Sequence, residues 1–90
     1  MPSTITTIGT TTDPVSTNRQ HGESTSTWVT RHGEAVSAAT PSGNSLTTSW
    51  ASAEGPKSTK TPREPGESDA EFLSRHILEY TTAMVGNPPI

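Results

Sequence analysis

Residues 65–89 constrain the chain most, because they describe a helix with both ends specified. Pro65-Gly66-Glu67-Ser68 leads into Asp69-Ala70-Glu71, and Gly86-Asn87-Pro88-Pro89 follows the last apolar positions. Ser68 with Glu71 three residues on is a capping box, in which each side chain takes up a free backbone N–H of the first turn. Glu67, Asp69 and Glu71 put negative charge at the positive end of the helix dipole. Gly86 is expected to close the helix in the left-handed region, and Pro88 and Pro89 bar its continuation. The spacing predicts a helix over about 69–85. Leu73, Ile77, Tyr80 and Met84 recur on one face with Phe72, His76 and Thr81 beside them, while Leu78 and Val85 lie opposite. Glu71 and Arg75 are placed to pair across one turn. A helix of this length is marginal alone in water, so its apolar stripe needs cover.

Cover is scarce. Only 27% of the 90 residues are hydrophobic and 4% aromatic, whereas 12 are serine and 17 threonine. A chain this small supports one core worth roughly 3–5 kcal/mol. With no cysteine, disulfides and Cys-based zinc sites are excluded. A net charge of −3 gives no electrostatic drive toward DNA or an anionic membrane. No stretch approaches the roughly 20 apolar residues of a membrane span. Met1 to Ile8 lacks the basic start and apolar run of a signal peptide. A cytoplasmic protein without membrane contact is the expectation.

Residues 1–23 carry only Ile5, Ile8 and Val15 as bulky apolar groups beyond Met1 and read as a flexible Ser/Thr-rich tail. An added edge strand at 5–11 is the alternative. Residues 24–90 read as a single small domain. Within it, β-branched and aromatic residues at 26–30 suggest a strand, 31–34 a turn and 35–39 a return strand. Leu46, Thr48 and Trp50 alternate with Thr47 and Ser49, the period of a half-buried strand, and 57–61 pairs back after the Glu54-Gly55-Pro56 break. Trp28 and Trp50 are 22 residues apart, as are Gly33 and Gly55, which suggests two hairpins of one plan. The expected fold class is α+β: a small antiparallel hairpin or meander of two to four short strands, packed by one C-terminal helix, with a disordered N-terminal tail.

Val29-Thr30-Arg31-His32-Gly33-Glu34 resembles, over these six residues, the opening signature of the histidine phosphatase and phosphoglycerate mutase superfamily. The resemblance implies His32 as the phosphorylated nucleophile and Arg31 as a phosphate clamp. That family's Asn, four residues after the Glu, is Ala38 here, and its doubly wound α/β fold exceeds this length. An ordinary hairpin turn also contains His-Gly, so catalysis is not the expectation. His21, His32 and His76 are separated by 11 and 44 residues, which match no metal-ligand pattern. They are expected to be solvated, with His76 at the helix border beside Phe72 and Tyr80. No cofactor is implied.

Two functional classes are left to weigh. The first is a non-catalytic module that binds a protein partner or a second copy of itself through Phe72, Leu73, Ile77, Tyr80 and Met84. The same residues would serve equally as the intramolecular core. The second is weak nucleic-acid binding, with Trp50 stacking on a base and Lys57, Lys60 and Arg63 on phosphates.

Overall fold

The computed structural model describes residues 3–12 and 14–90. Its elements run β1 (Thr4–Ile8), β2 (Val15–Asn18), α1 (Thr25–Ala38), β3 (Ser45–Ser52), β4 (Gly55–Pro62) and α2 (Asp69–Gly86). The four strands form one antiparallel sheet in the order β2-β1-β3-β4. The class is α+β, as expected, with two helices where one was expected. Trp28 from α1 and Tyr80 and Met84 from α2 share one core cluster with Ile5 and Trp50, so both helices cover the same face of the sheet.

The expected strands flanking Arg31-His32 are the helix α1. Ser24 caps it by accepting from the Thr27 N–H, and Trp28, His32 and Val36 bury one face at helical spacing. Tertiary burial of that face overrides the β-branched composition of 25–30. Residues 4–8 and 15–18 are strands and not a tail. They pair from Thr4↔Asn18 to Thr7↔Val15, and Ile5, Thr7 and Thr17 turn inward. The chain buries threonine where most proteins bury valine, so counting apolar residues underestimates its core.

The later segments follow expectation more closely. Leu46, Thr48 and Trp50 are buried on β3, which pairs with β4 from Ser45↔Pro62 to Ser52↔Gly55. The capping box at Ser68 and Glu71 is formed. Gly86 is the last helical residue and not a left-handed terminator; Asn87 ends the helix at φ −138° and donates its N–H to the Ala83 carbonyl. Arg75 pairs with Glu67 at 2.7 Å and Glu79 at 3.4 Å, because Glu71 is engaged in the capping box.

The 22-residue echo does not correspond to two hairpins: Trp28 sits on a helix and Trp50 on a strand. The true unit is ββα, and equivalent residues from β2 to the helix end are 44 apart. Gly22 and Gly66 take the same left-handed conformation, φ +78° and +79°, in the turn before each helix, a conformation open to glycine without penalty. Glu23 and Glu67 donate their N–H groups to Gln20 and Glu64. Arg31 and Arg75 clamp these glutamates and donate to the carbonyls of Asn18 and Pro62 at the strand ends. Arg19 lies 5.6 Å from the Trp28 ring centre and Arg63 4.5 Å from that of Phe72. The halves meet where β1 pairs with β3, from Thr6↔Ser49 to Ile8↔Thr47.

Ser24→Ala and Ser68→Ala remove equivalent caps in the two halves. Each is expected to cost about 1 kcal/mol, and together about the sum. Urea denaturation of the single and double variants checks both the values and their additivity.

Candidate functional site

Each strand contributes one threonine to the buried face of the sheet: Thr17 from β2, Thr7 from β1, Thr48 from β3 and Thr61 from β4. Each helix contributes one histidine between them. His32 is bonded through Nδ1 to Thr17 Oγ1 at 2.8 Å and through Nε2 to Thr7 Oγ1 at 2.7 Å. His76 is bonded through Nδ1 to Thr61 Oγ1 and through Nε2 to Thr48 Oγ1, both at 2.7 Å. Thr7 and Thr48 meet across the junction of the halves at 2.6 Å. Thr61 Oγ1 also donates to Glu79 Oε1 at 2.6 Å. The result is one continuous chain, Thr17–His32–Thr7–Thr48–His76–Thr61–Glu79, spanning the sheet from edge to edge.

Both imidazoles are fully buried. Burial holds each pKa at about 4, with further lowering at His32 from the nearby His76 and Arg31. At His76 the Glu79 carboxylate opposes the lowering and Arg75 adds to it. Both rings are therefore neutral near pH 7 and use each nitrogen once.

Tyr80 lies against both rings, edge-on to His32 at 6.0 Å and to His76 at 5.3 Å. Burial raises its pKa to about 12. Its hydroxyl is buried and has no hydrogen-bond partner among the described residues. A Cβ at Gly33 would sit 3.3 Å from that oxygen, so the glycine in mid-helix gives α1 room over Tyr80. Glycine there costs roughly 1 kcal/mol of helix propensity relative to alanine. In the repeat Gly33 answers to Ile77 and Tyr80 to Val36, so the two helices exchange bulk at the seam.

Above Gly33 and Tyr80, between the helices, runs an open groove of about 490 Å³ walled by Val29, Ile77 and Thr81, with Thr30, Glu34 and Ser37 on the α1 side. Val29, Thr30 and Thr81 also line a second hollow, of about 450 Å³, that extends past Met84 and Val85 to Pro88 and Pro89. Val85 and Leu78 are 83% and 66% exposed.

The anticipated site residues divide sharply. Phe72, Tyr80 and Met84 are buried, whereas Leu73 and Ile77 are half-buried and reach the surface. Ile77 lines the interhelical groove; Leu73 lines a separate hollow with Ser37, Thr40 and Pro41. Trp50 is 4% exposed and donates Nε1–H to the Asn87 carbonyl, so it offers no stacking face to a base. Lys57 and Arg63 pair with Glu54 and Asp69. The Arg31-His32 pair lies within α1, with Arg31 engaged by Glu23 and His32 sealed in the core. Of the histidines expected to be solvated, only His21 is exposed. The signal that locates the buried chain is the recurrence of Glu-x7-Arg-His at 23–32 and 67–76.

No helix among the described residues is long and apolar enough to cross a membrane, and no cluster of three or more metal-ligating side chains forms among them. Neither a protein-family model, nor a curated protein sequence, nor a solved structure matches the chain.

The buried histidines make the fold acid-sensitive. Each has a pKa of 6.5 when exposed and about 4 when folded, so between these values the unfolded chain binds more protons. Stability is complete above about pH 6.5 and falls as pH drops toward 4. With two groups at about 1.4 kcal/mol per pH unit each, the loss by pH 4 is on the order of 6 kcal/mol. Glu23 and Glu67, lowered to about 2 by hydrogen bonds from Arg31 and Arg75, act in the same direction at lower pH. Urea midpoints between about pH 7 and pH 5 are expected to fall steeply. An unchanged midpoint contradicts neutral, buried imidazoles.

Proposed function

We propose that the protein is a non-catalytic interaction module that receives an amphipathic helix of a protein partner along the seam between α1 and α2. The observation that carries this reading is the continuous apolar groove over Val29, Ile77, Thr81, Met84 and Val85, on the face opposite the sheet. Two helices separated by a furrow present the surface into which the i, i+3/i+4 and i+7 anchors of a third helix dock. Val85 is a large aliphatic side chain left in water at the edge of the groove, which a partner would shield. The groups whose affinities are shifted by burial, His32, His76 and Tyr80, are sealed beneath the helices, which favours a structural over a catalytic role for them. The site thus differs from the one expected along α2 alone, because α1 supplies half of it.

Selection of helical peptides from a random display library on the immobilised protein tests the proposal. Enriched sequences are expected to carry apolar anchors at helical spacing. Val85→Asp should abolish their binding while changing stability by no more than about 0.5 kcal/mol, since the side chain is exposed. Enrichment of non-helical sequences, or binding that survives Val85→Asp, contradicts the groove as the docking surface.

A further inference from the structure

The buried Thr/His chain is built from equivalent halves, yet it cannot be symmetric. At its centre Thr7 and Thr48 share one hydrogen bond, and only one of the two hydroxyls can donate in it. Were the halves identical, both directions of donation would be equal in energy. Glu79 breaks the tie: it is a carboxylate joined to the chain on the Thr61 side, and its equivalent in the first half is Ala35.

We infer that Glu79 polarises the whole chain in one direction, fixing the tautomer of both buried histidines and coupling α2's surface to Thr17 on the far edge strand. An ionised carboxylate only accepts, so Thr61 spends its one hydroxyl proton on Glu79. Thr61 must then accept from His76, which carries its proton on Nδ1. The bare Nε2 of His76 accepts from Thr48, and Thr48 in turn accepts from Thr7. Thr7 accepts from His32, which carries its proton on Nε2. The bare Nδ1 of His32 accepts from Thr17. Thr7, Thr48 and Thr61 each donate once and accept once, Thr17 donates at the end of the chain, and no proton is added or lost along it.

Reversal of the chain exchanges both tautomers together, giving His32 protonated on Nδ1 and His76 on Nε2. The hydrogen bond to the carboxylate is charge-assisted and about twice as strong as its neutral counterpart, so it selects the first arrangement. Glu79 is 41% exposed through its side chain and shares Arg75, so a partner that engages it from solvent alters the bias. The device lies in the core and does not depend on the groove as a docking surface. Around His32 stand Thr7, Thr17 and Tyr80, with His76 and Arg31 acting on it electrostatically; around His76 stand Thr48, Thr61 and Tyr80, with Glu79 and Arg75.

Long-range proton–nitrogen NMR of the full chain, labelled in histidine and held near neutral pH, reads the tautomers directly. The unmodified protein is expected to show a single form at each ring, Nε2–H for His32 and Nδ1–H for His76. Glu79→Ala makes the halves alike at this point, and His32, on the other helix, should then show both tautomers in comparable amounts. Adding Ala35→Glu to Glu79→Ala places the acceptor beside Thr17 and should reverse both rings. Opposite tautomers in the unmodified protein overturn the inference by themselves. So does a His32 signal that is the same in folded Glu79→Ala and in the double variant.

Discussion

The contact on which the fold turns is the hydrogen bond between Thr7 and Thr48, where two ββα halves face one another across the centre of the sheet. Neither half can exist comfortably without it. Each brings a histidine and two threonines to its inner face, and those groups are excluded from water by the very helices that supply the histidines. A buried hydroxyl or ring nitrogen without a partner costs about 1–3 kcal/mol. Joining the halves gives Thr7 and Thr48, each already bonded to a histidine, their second partner at once. The same contact aligns β1 with β3, and Tyr80, reaching over both rings from α2, seals the junction.

This arrangement explains how a chain so poor in apolar residues folds. Its core contains Ile5, Trp28, Val36, Leu46, Trp50, Phe72, Tyr80 and Met84, but the interior between them is filled by Thr7, Thr17, Thr48, Thr61, His32 and His76. A polar interior tolerates little variation, because a half-satisfied network is worse than an apolar one. The two Glu–Arg clamps outside it are therefore as much positional as electrostatic: each holds a helix to a strand end through a carbonyl as well as a carboxylate. The groove on the outer face follows from the same economy. With most of its bulky residues turned inward, the helical layer comes close at the Gly33–Tyr80 approach and leaves a furrow beside it.

What the sequence disclosed depended on how local the cause was. The capping box of α2 and the alternation of Leu46, Thr48 and Trp50 lie within a few residues and were legible. α1 was not, because Thr25, Thr27, Trp28, Val29 and Thr30 favour strands and Gly33 interrupts the helix; the compensating contacts come from Thr7, Thr17 and Tyr80, distant in sequence. β2 was hidden, and β1 was legible only as an alternative, for a related reason: their inward residues include Thr7 and Thr17, whose burial makes sense only once the histidines are in place. His32 and His76 were visible, and so was their separation of 44 residues. Tested against metal-ligand spacings it means nothing. Read as a repeat period, together with Glu23 and Glu67, Arg31 and Arg75, it specifies two equal halves.

The most direct test of the account is a double-mutant cycle at the junction, comparing Thr7→Val, Thr48→Val and both together by urea denaturation. Each single change keeps the shape but strands a buried partner, so each is expected to cost about 1–3 kcal/mol. The double variant removes both members of the central bond, and its cost should fall short of the sum by about 1 kcal/mol or more. Additive losses would mean that the two hydroxyls act independently and that the halves are joined by something else.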